Sequence, residues 1–236
     1  MKLRNPFKGF TKFEWCLWLG SLAAIIAAHF IAGSNNYLSL AASLVGITSL
    51  IFAARGDPFA PVLFIAFAVM YSVISYFSRY YGEMLIYICM QLPISVASLI
   101  TWLKNLNKGG TQVKTGIFTV KKLLIMLAMN AVVTTAFYFI LRHFNTANLI
   151  PSTISVATSF AALFFMALRI PQYALFFILN DIVMIVLWGM ALSQDIGYIS
   201  LVVCFSIFLI NDTYTFICWT KRRDIVDAKS DQTETL

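Results

Sequence analysis

"LIFAARGDPFA" (residues 50–60) and "FFMALRIPQYA" (164–174) decide how this chain is arranged. In each, an apolar run stops at an arginine and resumes just past a proline. Matching Arg55 to Arg169 sets the two stretches 114 positions apart. A second pair, "QLPISVASLITWLK" (91–104) and "FLINDTYTFICWTK" (208–221), matches Trp102 to Trp219 at a spacing of 117. Registers this similar read as an internal repeat with one short insertion.

The setting of the repeat is a membrane. Of 236 residues, 60% are hydrophobic and 11% charged, against about 25% charged in a soluble domain. Eight apolar spans can be drawn, near 15–32, 37–53, 59–78, 82–103, 121–142, 151–168, 171–192 and 196–219. A run of ~20 residues crosses the hydrocarbon core. With eight spans both termini share a side, and fifteen of the 17 Lys and Arg then fall on it. Only Arg79 and Arg142 fall opposite. That asymmetry puts both termini in the cytoplasm. It also accounts for the net charge of +7 without nucleic acid as a partner. The first span follows a basic segment, as a signal peptide would, but "AGSNN" makes a poor cleavage site.

The matched arginines share one side, and so do the matched tryptophans, so the repeats are parallel. Two parallel three-span units need an odd number of spans between them, and span five supplies it. The expected architecture is an all-α polytopic membrane protein. Residues 1–33 form the cytoplasmic N-terminus and an extra helix. Residues 34–103 form the first three-helix bundle, and 104–147 a cytoplasmic loop and linker helix. Residues 148–222 form the second bundle, and 223–236 a polar, disordered cytoplasmic tail. Parallel repeats of this kind occur in transporters, with the substrate near the bilayer midplane between the bundles.

Polar residues recur at that depth. Asn180-Asp181 lies about ten residues, or ~15 Å, from the cytoplasmic end of span seven. Asn211-Asp212 and Gln91 lie at similar depth. Helical spacing puts Tyr173, Phe177, Asn180/Asp181, Met184 and Trp188 on one face. Phe208, Asn211/Asp212, Thr215 and Trp219 share another, with Tyr214 at its edge, and Gln91, Ser95, Ser98 and Trp102 a third. A carboxylate at the bilayer centre costs a few kcal/mol, so it must face a cavity, be protonated or find partners. Two readings compete: hydrogen bonds between helices, or a shared wet cavity. Two Asn-Asp pairs and a Gln at one depth, flanked by aromatic rings, favour the cavity. Amides and carboxyls can bond ribose hydroxyls, and aromatic faces stack on flat rings and attract cations. A nucleoside-sized ligand fits better than a sugar alone. Trp102 and Trp219, near the membrane faces, read as interfacial anchors. Pro93 reads as a kink in span four.

Cys16, Cys89, Cys204 and Cys218 are isolated, and His29 and His143 form no ligand motif, so no metal or other cofactor is expected. A nucleophile-base pair is missing too, so the chain is not read as an enzyme. No ATP-binding loop is present, which points to a uniporter. The two carboxyls leave proton or sodium coupling open.

"YGEMLIYICMQ" (81–91) leading to Trp102, "RIPQYALFFILND" (169–181) and "INDTYTFICW" (210–219) resemble the PnuC family of bacterial vitamin transporters, over residues 34 to 222. The resemblance implies a SWEET-like 3+1+3 fold in the inner membrane. It implies inward carriage of nicotinamide riboside by facilitated diffusion, with a cytoplasmic kinase trapping the product. Carried over as substrate contacts are Gln91, Asn180 and Asn211. With the aromatic and acidic neighbours, the candidate site is Gln91, Tyr173, Phe176, Asn180, Asp181, Met184, Trp188, Asn211, Asp212, Tyr214 and Thr215. The family's Trp-x-x-Trp pair is replaced here by Tyr173 and Phe176, which leaves deoxynucleosides, thiamine and riboflavin as alternative substrates. The expected partners are that small molecule and the lipid bilayer, and a homo-oligomer is compatible with the layout.

Overall fold

Long apolar runs make helices here, because in lipid a helix satisfies its own backbone. The structure, a computed structural model, describes residues 7, 9–31, 33, 37–77, 81–107, 112–146, 148–192 and 199–234. Arg79 and the first basic residues, Lys2 and Arg4, lie outside them. Among the described residues there is no strand, and the order is α1 (Lys12–Ile31), α2 (Tyr37–Arg55), α3 (Phe59–Phe77), α4 (Tyr81–Ile86), a π-helical turn (Tyr87–Gln91), α5 (Leu92–Lys104), α6 (Val120–His143), α7 (Leu149–Ala167), α8 (Tyr173–Leu192) and α9 (Ile199–Glu234). Seven stretches are long and apolar enough to cross a membrane, with Met84–Lys104 running through the π turn, and α3 adds the shorter Phe59–Ile74. Large apolar side chains cover the outside: Val132, Ile150 and Phe30 are all more than 60% exposed. That surface suits lipid and not water.

The repeat is visible in the contacts. The two units meet through α2 against α9 and α5 against α7, one interface being the pseudo-twofold image of the other. The turn after α2 bonds Gly56 N–H to Ala53 O (2.9 Å), Asp57 N–H to Phe52 O (3.0 Å) and Ala60 N–H to Asp57 O (2.9 Å). The turn after α7 repeats this with Arg169 to Met166 (3.0 Å), Ile170 to Phe165 (2.9 Å) and Tyr173 to Ile170 (3.0 Å). The structural register therefore pairs Gly56, not Arg55, with Arg169, and Pro58 with Pro171. Both turns need a left-handed residue, with φ of +67° at Gly56 and +60° at Arg169. The sequence match aligned identical side chains, whereas the backbone aligns conformations. The linker crosses both turns, with Val113 N–H on Gly56 O (2.9 Å) and Gly116 N–H on Arg169 O (2.8 Å). Burial there holds the Arg169 guanidinium below its ordinary pKa.

The two tryptophans are not interfacial anchors. Trp102 and Trp219 are fully buried, their ring centroids 5.5 Å apart. Trp102 Nε1 donates to Met166 O at 2.9 Å and Trp219 Nε1 to Ala53 O at 2.7 Å. Each indole thus caps the last turn of the other repeat's first helix, where carbonyls lack helical partners. Tyr173 adds its hydroxyl to Ala53 O at 3.2 Å and packs edge-on against Trp219. The end of the bundle bearing Lys104, Arg169 and Lys221 is sealed by these rings.

Helix α1 packs on α2 and α9. Thr11 and Glu14 form a reciprocal cap at its start, and Glu14 Oε2 also meets Arg55 Nη1 at 3.0 Å. The tail departs from the sequence expectation: α9 runs on to Glu234, since "DIVDAKSDQTE" contains neither proline nor glycine to stop it.

Candidate functional site

Small residues let the helices come close enough to enclose a site. At Gly46 on α2 a methyl group would sit 3.1 Å from Phe67 and 3.2 Å from Phe208. In span four, Pro93 has no N–H to give, and the turn before it widens so that Leu92 N–H bonds Tyr87 O. The wide turn carries both Tyr87 and Gln91 onto the inner wall.

Between the two repeats lies a cavity of ≈ 100 Å³, measured as space open to the centre of a water molecule. A second lobe of ≈ 90 Å³ shares Tyr71, Tyr87, Gln91, Ser159, Asn180 and Phe205 with it. That lobe extends past Met184 to Thr146 and Ser152, at the end opposite the sealed one. The first lobe is walled by Phe64, Phe67, Phe177, Phe205 and Phe208 and carries Asp181 and Asp212.

Of the residues singled out from sequence, the structure brings Gln91, Asn180, Asp181, Asp212 and Met184 to this cavity. Asn180 is fixed by α7: the hydroxyls of Ser155, Thr158 and Ser159 surround its Oδ1 at 3.1, 2.9 and 3.0 Å. Its acceptor capacity is used, so its amide N–H groups are what it can offer a ligand. The carboxyls of Asp181 and Asp212 are both buried at the wall of the first lobe.

The others sit elsewhere. Asn211 is buried with its Nδ2 donating to Ser21 Oγ of α1 (3.1 Å) and to Ile207 O (2.9 Å). It ties α9 to α1, because neighbouring residues on a helix point ~100° apart and Asp212 takes the cavity side. Thr215 bonds back to Asn211 O at 2.9 Å, and Tyr214 packs on Phe13 of α1. Tyr173 is engaged in the tryptophan seal, and Phe176 stacks on Phe165. Trp188 lies outside both linings. Sequence reasoning missed Ser39 and Ser43 on α2, Tyr71 on α3, Tyr87, Ser159 and Cys204. The i, i+4 spacing of Ser39 and Ser43 on an apolar helix was the one available signal.

The chain matches the model of the family described as nicotinamide mononucleotide transporter over residues 36–221. The chain belongs to the nicotinamide mononucleotide transporter family. In this family's terms the match takes in α2 through the membrane part of α9, and α1 precedes it. The chain is 29% identical to the nicotinamide riboside transporter PnuC of Neisseria mucosa, covering 92% of this chain and 84% of that one. It is 23% identical to the same-named protein of Haemophilus influenzae, covering 93% and 95%. The crystal structure of the vitamin B3 transporter PnuC superposes with a TM-score of 0.77 at 26% identity, covering 92% of this chain and 94% of that one. The chain is therefore a multi-pass membrane transporter of a small molecule, and not an enzyme.

Proposed function

We propose that the chain imports nicotinamide riboside, or a closely related nucleoside-like vitamin, by facilitated diffusion across a bacterial inner membrane. Both termini are cytoplasmic in this reading, and a cytoplasmic kinase traps the substrate. The observation that carries it is the cavity between parallel repeats. There, amide donors on Asn180, Gln91 and two carboxyls face aromatic walls. Amide and carboxyl groups suit ribose hydroxyls and a carboxamide, and the rings suit a flat heterocycle. The names of the Neisseria mucosa and Haemophilus influenzae relatives support the same ligand. Tyr173 and Phe176 pack outside the cavity lining, which supports reading their departure from the family's tryptophans as a change in packing.

Transport then proceeds by rocking of the two three-helix bundles about the site. The tryptophan seal closes the cytoplasmic end in the arrangement described, and the second lobe leads toward the outside. The acidic pair also fits thiamine, another flat cation, as a second reading.

Titration of purified protein with nicotinamide riboside, thiamine, riboflavin and deoxynucleosides, followed by tryptophan fluorescence, tests this. Saturable binding of nicotinamide riboside, weakened at least about tenfold by Asn180→Ala and by Gln91→Ala, is expected. Saturable binding of a different compound alone would replace the substrate. Uptake into vesicles that concentrates substrate against its gradient would refute facilitated diffusion.

A further inference from the structure

Two acidic side chains share one lobe of this bundle, and no described lining residue is a cation. Asp181 and Asp212 are each 3% exposed and line the same lobe. Both open onto the same small space, beside the same aromatic walls. Among the described residues no donor reaches Asp181 Oδ2 or Asp212 Oδ1. Among the described residues lining the two lobes there is no Lys, Arg or His.

The groups facing the pair come from every neighbouring element. Helix α9 presents Cys204 and α8 presents Asn180. Helix α2 presents Ser39 and Ser43, α7 presents Ser159, and α3 and the π turn present Tyr71 and Tyr87. Helix α1 meets α9 through Ser21 and Asn211, and its Glu14 is tied to Arg55 at the basic end. None of these brings a positive charge to the carboxyls.

Two buried carboxyls on one small cavity cannot both be ionised without a large repulsion, so at least one holds a proton. Ionising the other places a charge where an uncompensated charge is costly, and a cationic ligand offsets that cost. Aromatic faces around it are also attractive to cations. A ligand carrying one positive charge on a flat ring satisfies all of these groups at once, and a neutral ligand of the same shape leaves the charge unmet.

We propose that Asp181 and Asp212 together supply the counter-charge that makes the site select cationic over neutral ring ligands. The choice of ligands rests on the nicotinamide riboside reading, but the two can fail separately. The proton count gives a pH signature. The form with one proton binds the cation, and a second proton removes the remaining charge. Affinity for a cation therefore falls as pH falls through that second protonation, by up to about tenfold per pH unit, and affinity for a neutral ligand does not.

The test compares nicotinamide riboside with benzamide riboside, in which carbon replaces the positively charged ring nitrogen at nearly unchanged shape. Dissociation constants are measured by calorimetry on the full chain from pH 5 to 8. The expected result is at least about tenfold tighter binding of the cation at pH 7.5, with the ratio shrinking toward acid. In Asp181→Asn and Asp212→Asn the ratio of the two affinities shrinks at pH 7.5 as well. The wild-type comparison needs no variant to fold. Equal affinities at all pH values would overturn the counter-charge while leaving the transport reading standing. Binding of thiamine alone, weakened by acid, would keep the counter-charge and overturn nicotinamide riboside as the substrate. Binding of neutral deoxynucleosides alone, or of no cation at all, would overturn both.

Discussion

Replacing Trp219 by Phe tests whether the sealed end is a gate. The indole N–H donates to Ala53 O at 2.7 Å, and Phe keeps an aromatic ring but deletes the donor. Ala53 O retains the Gly56 N–H at 2.9 Å and the Tyr173 hydroxyl at 3.2 Å. No buried carbonyl is orphaned, so the loss is that of one net hydrogen bond, about 1 kcal/mol. A bond made only in the closed arrangement shifts the equilibrium toward opening at this end by about fivefold. The pseudo-twofold fixes a second value. Trp102 donates to Met166 O at 2.9 Å, and that carbonyl keeps the Arg169 N–H at 3.0 Å, so Trp102→Phe should match Trp219→Phe. The double variant should lose about 2 kcal/mol, roughly thirtyfold, and any shortfall reports coupling between the touching rings. Cys204 lines the cavity and serves as the reporter once Cys16, Cys89 and Cys218 are replaced. The assay is its rate of alkylation by a membrane-impermeant maleimide applied from the side of Lys104 and Lys221. Faster labelling in both single variants is expected. An unchanged rate in both, with thermal transitions intact, would show that the indoles stay bonded throughout the cycle and are scaffold.

Gly56→Ala should lower thermal stability by about 1–2 kcal/mol, because φ there is +67° and the added methyl meets Arg222 Nη1. Gly20→Ala, where a methyl meets nothing within 4 Å, should leave the melting temperature in detergent unchanged or raised. Ser21→Ala should remove the α1–α9 bond at a cost of about 0.6 kcal/mol with no change in ligand affinity, and a tenfold loss of affinity would put Asn211 in the site after all. Glu14→Gln should weaken the anchoring of α1 through Arg55 and lower the melting temperature, and an unchanged value would mean that Gly9 O and the Phe10 ring hold Arg55 by themselves.

Much of this protein was legible in its sequence because the deciding signals are local. Hydropathy and helical length depend only on neighbouring residues, and they gave the membrane class, the helices and their order. The parallel repeat followed from two matched stretches, and the shared level of Asn180, Asp181 and Gln91 along their helices from counting residues. What lay beyond reach was the rotation of each helix about its axis, which packing sets. Asn211 and Asp212 are adjacent in sequence and ~100° apart in space, so contact with Ser21 on α1 decided which of them faces the cavity. Trp102 and Trp219 read as anchors because membrane depth is visible in sequence and partners are not. Only the tertiary structure supplied the carbonyls of Met166 and Ala53 that draw them inward. The same holds for the one-residue shift of the repeat and for the serines and tyrosines of the cavity wall. Side chains mark position along the chain, but backbone conformation and neighbouring helices decide what each side chain meets.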